Sequence, residues 1–349
     1  MSSNVDSFGT SYSLQKINEK NPIVFIHGVG LTKEIWEPQV NFFKEYNTLT
    51  YDLLGHGKTP LKKSRVSFED FSDQLLNLIN ELNFNKIHLV GFSLGALIAR
   101  HFASEYNDRL SSLIIHGSIY KRTEDQKKVV KNRFEVAKTN RPGSKHHAIR
   151  RWLSEDFIKK NPDIYKKIYS SLEKNNPKDF LKCYEIFVNY IDDDSALKKI
   201  NANTLIATGE NDVGSTPEMS RNLSKIIQGS KFVEIKRGKH LCGIECANDV
   251  NIIFKKFIDK NNPADFLKCY KIFVNYVDDD NMLKKINVDT LITAGENDVG
   301  STPEMSRNLS KIIQGSKFIE IKKGKHLCSI ECADDVNITF KEFIDQHND

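Results

Sequence analysis

Lys86-Ile87-His88-Leu89-Val90-Gly91-Phe92-Ser93-Leu94-Gly95-Ala96-Leu97 is the stretch that decides the fold. An apolar, β-branched run ends in two glycines that bracket a serine, and a helical pattern continues from Ala96 to about Tyr106. The pattern G-x-S-x-G is informative only between a strand and a helix, which is where it stands here. Each position has a physical reason. A tight turn throws the serine Oγ above the sheet, the flanking positions must be small to clear neighbouring backbone, and the following helix offers its positive N-terminus to a developing oxyanion.

Outward from this turn, strands alternate with helices. Ile23–Ile26 runs into His27-Gly28-Val29-Gly30, Thr48–Asp52 closes on Gly55-His56-Gly57, and Leu113–His116 follows the helix after Ser93. Phe68, Phe71, Leu75, Leu78, Ile79 and Leu82 share one helical face. Residues 121–191 lack strand alternation and read as several amphipathic, basic helices. After them Thr204–Thr208 and Lys231–Ile235 read as strands, and Pro217–Ile227 and Val250–Ile258 as helices. The alternation predicts an α/β protein with a mostly parallel sheet covered on both faces, interrupted by a helical lid over 121–191.

Six cysteines in 349 residues would allow three disulfides, but Cys183, Cys242 and Cys246 recur as Cys269, Cys328 and Cys332, each 86 residues later. Residues 175–260 match residues 261–346 without a gap; of 86 positions 16 differ and 70 are identical. The expected organisation is therefore a domain over 1–260 and a second copy of 175–260 over 261–349. A net charge of +5 is too small to argue for nucleic-acid binding, and no window approaches the roughly 18 apolar residues of a membrane helix. The first 20 residues lack a basic region followed by an apolar one, so a cytoplasmic protein with reduced thiols is expected. His240-x-Cys242-x3-Cys246 lacks the paired close-spaced ligands of structural zinc, and neither metal nor cofactor is expected.

With these residues in place, the chain resembles the α/β-hydrolase superfamily over essentially all of residues 13–260. Phe25-Ile26-His27-Gly28-Val29-Gly30, with Trp36 six residues on, is similar to the family's oxyanion loop. Tyr51–Thr59 resembles its D-x-x-G-H-G-x-S/T turn, with Leu54 in place of a common arginine. Residues 205–217 resemble the strand and loop of the catalytic acid, which points to Asp212; residues 236–245 resemble the histidine loop, which points to His240. The resemblance implies a Ser93–His240–Asp212 triad, in the chain order this fold requires, with the backbone N–H groups of Val29 and Leu94 as the oxyanion hole. Arg151-Trp152-Leu153-Ser154-Glu155-Asp156-Phe157 resembles the cap of enol-lactonase-like and aminoacrylate-hydrolase-like members, which makes Trp152 a candidate for substrate contact.

Other polar residues fit structural roles better. His27 and His56 sit in glycine turns, His88 lies on a core strand, Asp52 ends a strand out of order for the acid, and Asp192-Asp193-Asp194 reads as a solvated turn or N-cap. From Lys121 to Ile168, 15 Lys/Arg face 6 Asp/Glu, an excess that can steer an anionic ligand. The expected activity is hydrolysis of a small ester or lactone, the partner a small-molecule substrate rather than nucleic acid or membrane. Two alternatives remain at this point: cofactor-free carbon–carbon bond hydrolysis or lyase chemistry on the same scaffold, and a non-catalytic binding protein. The duplicate leaves a further choice open. Asp298 and His326 could complete the site in place of Asp212 and His240, and the spare copy could pack on the outside, pair into a homo-oligomer or exchange between chains.

Overall fold

Eight strands form the sheet of the first of two units, Met1–Phe266. They are β1 (Asn4–Val5), β2 (Ser11–Gln15), β3 (Ile23–Ile26), β4 (Thr48–Tyr51), β5 (Ile87–Phe92), β6 (Leu110–His116), β7 (Thr204–Gly209) and β8 (Lys231–Ile235). The structure, a computed structural model, describes residues 3–139, 142–261 and 274–347. Strand order is β1-β2-β4-β3-β5-β6-β7-β8, parallel from β4 to β8 and antiparallel at β1 and β2. Every residue of β3, β4, β5 and β7 is buried, as strands covered on both faces require, whereas the edge strand β8 is largely half-exposed.

Helices α1 (Glu37–Phe42), α2 (Phe68–Glu81) and α3 (Leu94–Glu105) link the early strands. Ser67 and Asp70 form a reciprocal capping box that starts α2, and its apolar stripe buries Phe71, Leu75, Leu78 and Ile79. Between β6 and β7 lie α4 (Glu124–Lys138), α5 (Pro142–Trp152), α6 (Glu155–Lys160), α7 (Pro162–Lys174), α8 (Pro177–Val188) and α9 (Asp194–Lys198). Several starts are fixed by short-range chemistry: Thr123 caps α4, Ser154 caps α6, and α7 and α8 each open on a proline, whose missing N–H costs nothing in a first turn. Then come α10 (Pro217–Ile226), α11 (Cys242–Glu245) and α12 (Ala247–Lys260).

The order of the strands positions the site. β3 lies between β4 and β5, so the chain leaves β3 toward one side of the sheet and returns to its other side through β5. The carboxyl ends of β3 and β5 therefore flank the point where the winding reverses, the usual crevice for ligands in open α/β sheets. His27-Gly28-Val29 follows β3 and Ser93 follows β5.

The three-aspartate run, expected as a solvated turn or N-cap, departs from that expectation at one position. Asp193 does cap α9, but Asp192 is buried and pairs with the fully buried Arg100 of α3 at 2.5 Å. The guanidinium also donates to Ser118 Oγ and the Ile119 carbonyl.

The second unit, Leu267–Asp349, contains α13 (Asp280–Leu283), β9 (Leu291–Gly295), α14 (Pro303–Ile312), β10 (Lys317–Ile321), α15 (Cys328–Glu331) and α16 (Ala333–Asp345). β9 and β10 pair in parallel as a sheet of their own and do not extend the first. No helix among the described residues is long and apolar enough to cross a membrane.

Candidate active site

Ser93 is the one residue between the end of β5 and the start of α3, and its backbone is strained, with φ 55° and ψ −113°. A non-glycine residue with this φ is uncommon, and such strain persists only where the surroundings impose it. They do so here. A Cβ on Gly91 would lie 2.2 Å from the Gly95 carbonyl oxygen, and a Cβ on Gly95 would lie 2.4 Å from that of Ile26. Both glycines are thus required by close backbone approach, and the serine between them is pushed out at the sheet's carboxyl edge.

His240 Nε2 lies 3.1 Å from Ser93 Oγ, and His240 Nδ1 lies 2.6 Å from Asp212 Oδ2. Asp212 comes from the loop after β7, where its other oxygen accepts from the backbone N–H groups of Gly214 at 2.8 Å and Ser215 at 2.9 Å. Burial alone would push this carboxyl up; the adjacent imidazole and three hydrogen bonds outweigh it, so Asp212 titrates below the usual carboxylate range. With Asp212 accepting at Nδ1, the tautomer left has a free lone pair on Nε2, facing the hydroxyl. The Asp212 and His240 loops are held together by a further approach without room for a side chain, Gly209 against the Gly238 and Lys239 carbonyls.

On the opposite side, Gly28 packs so closely that a Cβ there would lie 3.1 Å from Ser93 Cβ. The residue after it is Val29. Leu94 is the first residue of α3, and its N–H is among the four that a helix cannot pair internally. The glycine turns are fixed from below. His27 Nε2 accepts from Leu53 N at 3.0 Å while its Nδ1 donates to the Gly28 carbonyl at 2.8 Å. Asp52 is buried against Lys33 at 3.0 Å and accepts from the Lys58 N–H, and Gly57 leaves room for that carboxylate. His27, His56 and Asp52 are accounted for as supports.

Several neighbours of the site carry no motif and were not legible from sequence. The buried His116 ring packs on Phe92, which in turn packs on His240 with ring centres 4.9 Å apart. Cys242 Sγ lies 3.7 Å from His116 Nε2. Gln39 donates to the Gly243 carbonyl at 2.7 Å and so ties α1 to the histidine loop. Glu245 accepts from Ser154 N, and Leu241 N donates to the Trp152 carbonyl at 3.0 Å, which fixes the lid's α5–α6 corner beside His240. Trp152 itself is half-buried against the apolar cluster that contains Trp36 and Phe92.

Lid charge is distributed unequally. Lysines pair with acids one turn away, as Lys127 with Glu124, Lys138 with Glu135 and Lys160 with Asp156. Arg133 and Arg151 have no carboxylate within salt-bridge distance among the described residues. Burial, with the Arg133 charge acting in the same direction, holds Arg122 and Arg151 down to about 10, offset in part by Asp192 at Arg122 and by Tyr184 at both. Asp298 and His326 make the same contact as their counterparts, Nδ1 to Oδ2 at 2.9 Å, inside the second unit.

A family model described as the alpha/beta hydrolase fold matches residues 21–245. Among curated proteins, an (E)-2-((N-methylformamido)methylene)succinate hydrolase of Acinetobacter baylyi is 27% identical over 246 residues, 69% of this chain and 91% of that one. The same organism's 3-oxoadipate enol-lactonase 1 is 27% identical over 254 residues, 72% of this chain and 94% of that one. Among solved structures, the enol-lactonase from Burkholderia xenovorans superposes with a TM-score of 0.66 at 21% identity, covering 73% of this chain and 98% of that one. The meta-cleavage product hydrolase from Pseudomonas fluorescens gives 0.63 at 18% identity, with 75% and 98% coverage. These two likenesses speak to the fold.

Proposed function

We propose, from the premise that this chain belongs to the α/β hydrolase fold family, that it is a serine hydrolase cleaving a small anionic carboxylic ester or lactone through Ser93, His240 and Asp212. The observation that carries the proposal is the hydrogen-bonded line from Ser93 Oγ through His240 to Asp212 Oδ2, at 3.1 and 2.6 Å, starting from a strained serine.

In this mechanism Oγ attacks the ester carbonyl while His240 Nε2 takes its proton, and Asp212 stabilises the imidazolium and holds the ring. The tetrahedral oxyanion is met by the N–H groups of Val29 and Leu94; one such donor is typically worth about 3 kcal/mol of transition-state stabilisation. His240 then protonates the leaving alkoxide, which for a lactone stays tethered to the acyl group. Water then attacks the acyl carbon as His240 takes its proton, and His240 returns that proton to Ser93 Oγ as the C–Oγ bond breaks and the acid leaves. Trp152 forms one wall of the substrate space. An anionic substrate is supported by Arg133 and Arg151, which lack carboxylate partners among the described residues, and by two relatives whose names contain succinate and oxoadipate. Residues 261–346 are in this proposal a tandem duplicate of 175–260 that leaves the first site intact.

A fluorophosphonate probe should label the parent protein, and Ser93→Ala should lose both label and ester turnover while keeping its thermal midpoint. Unchanged turnover in purified Ser93→Ala would overturn the assignment.

A further inference from the structure

Residues 274–346 carry apolar side chains that their counterparts bury. Met219 is 6% exposed and Met305 60%; Leu241 is 2% exposed and Leu327 58%; Phe254 is fully buried and Phe340 44% exposed. β7 pairs with both β6 and β8, whereas β9 pairs with β10 alone, so one of its edges has no strand partner among the described residues. What covers these faces in the first copy is residues 1–174. Asp192 meets Arg100, Glu245 meets Ser154 N, Asn251 meets Gln39, and Asp259 meets Tyr46.

The 16 differences between the copies spare the side chains that hydrogen-bond to residues 1–174, although some, such as Ala207 paired with His116, Gly243 beside His116 and Ile253 in the apolar cluster, fall where the first copy packs on them. Every side chain of 175–260 that hydrogen-bonds to residues 1–174 among the described residues recurs unchanged 86 positions later. The four just named recur as Asp278, Glu331, Asn337 and Asp345. Gly243 becomes Ser329, and at Gly243 a Cβ would make only ordinary contact, 3.5 Å from His116 Nε2. The acid loop keeps its backbone contacts, although the buried Thr208, whose Oγ1 donates to the Ser215 carbonyl at 2.8 Å, becomes Ala294. Asp298 Oδ1 accepts from Gly300 N at 2.8 Å and Ser301 N at 3.0 Å, as Asp212 does from Gly214 and Ser215.

We propose that residues 261–346 are a second completing segment for residues 1–174, giving the same chain an alternative fold in which Asp298 and His326 serve Ser93. The catalytic half of this inference rests on Ser93 being the nucleophile; the folding half does not. In the alternative form residues 175–260 become a looped insertion, a cost that grows only with the logarithm of its length. Three substitutions disfavour it: Ala207, fully buried, becomes the larger Thr293; Thr208, also fully buried, becomes Ala294 and loses the hydroxyl that bonds the Ser215 carbonyl; and Ile253, packed against the core, becomes Thr339. The first copy therefore holds the position, and the second takes it when the first is disabled.

Glycine substitutions in the full-length chain test this. Gly209→Val drives a side chain onto the Gly238 and Lys239 carbonyl oxygens, each 2.4 Å from the Cβ position, and Gly295→Val does the same to the second copy at 2.5 Å. Both tryptophans, Trp36 and Trp152, lie in residues 1–174, so a fluorescence melt reports on that body whichever copy completes it. Gly209→Val should keep a cooperative melt within about 10 °C of the parent, the scale of a few buried substitutions. It should also keep at least roughly a tenth of parental ester turnover, in proportion to the competent population. Gly209→Val/Gly295→Val should lose both. Identical melts for the single and double variants, either both lost or both retained, would overturn the exchange. A folded but inactive Gly209→Val would overturn the catalytic role of His326. A midpoint that rises with protein concentration would overturn exchange within one chain. Should the parent itself turn over no ester, the melts still decide the folding question.

Discussion

Acidification from about pH 7.5 to about pH 5 places protons on the unfolded chain that the folded first unit does not accept. Burial holds His56 down to about 3, with the His27 ring adding to the effect, and holds His88 and His116 down to about 4, all from an ordinary value of 6.5. Their surroundings offer little to a second ring proton: the Nε2 atoms of His56 and His88 have no hydrogen-bond partner among the described residues. These are bases with depressed folded-state values, so the unfolded chain binds more protons between about 6.5 and about 4, and stability falls as pH drops through that window. Each histidine contributes about 2 kcal/mol of loss between pH 7.5 and 5, or ~6 kcal/mol together, at 1.36 kcal/mol per pH unit where the two states differ by a whole proton. His27, also lowered by burial, acts in the same direction. Urea unfolding followed by tryptophan fluorescence at several pH values measures this on the first unit, where both tryptophans lie. His88→Gln, whose amide can keep the 2.8 Å bond to Ser112, should remove about a third of the pH dependence. A total loss below roughly 2 kcal/mol, or an unaltered slope in His88→Gln, would refute the claim that these rings are held neutral.

Other expectations are narrower. Asp192→Asn leaves the Arg100 guanidinium buried without its carboxylate and should cost about 3–5 kcal/mol in urea unfolding; a loss under about 1 kcal/mol would mean the pair contributes no more than a surface one. Raising salt should raise KM for an anionic ester and leave a neutral ester nearly unchanged, because ions shorten the field of the lid arginines to about 10 Å at 0.1 M. Equal salt sensitivity for the two esters would count against charge steering.

The serine turn was legible because its flanking residues are forced by backbone geometry. Gly91 and Gly95 must be glycine for strand, turn and helix to approach as they do, so a five-residue pattern betrays the turn. Asp212 and His240 were picked out through the resemblance of residues 205–217 and 236–245 to a family's acid and histidine loops, and the strand order brings the loops after β7 and β8 to the same edge as Ser93. Contacts made by ordinary residues left no such trace. Nothing in the sequence marks His116 as the ring behind Phe92, or Glu245 as the tie between the histidine loop and Ser154. Asp192 was misread for a related reason. Three consecutive aspartates look solvated, and only the arrival of Arg100, 92 positions earlier in the chain, makes one of them a buried partner.

The nearly identical segments 175–260 and 261–346 mark the limit of local information most clearly. Pro217–Ile226 and Pro303–Ile312 have the same ten residues, the same threonine cap and the same proline start, and both form the same helix. Asp212 and Asp298 draw the same two backbone N–H groups, and His240 and His326 the same carboxylate. Local structure thus follows from local sequence in both copies and cannot distinguish them. The difference lies in what residues 1–174 supply: with them the His240 side chain is 13% exposed and meets Ser93, whereas the His326 side chain is 68% exposed. Two of the few changes that bear on the choice are Ala207 against Thr293 and Ile253 against Thr339, and both act through packing with residues far away in sequence. Selection between nearly identical segments is therefore a tertiary property. On the proposal above, changes at packed positions such as Ala207 and Ile253 tip it, while every motif that points to the chemistry stays the same.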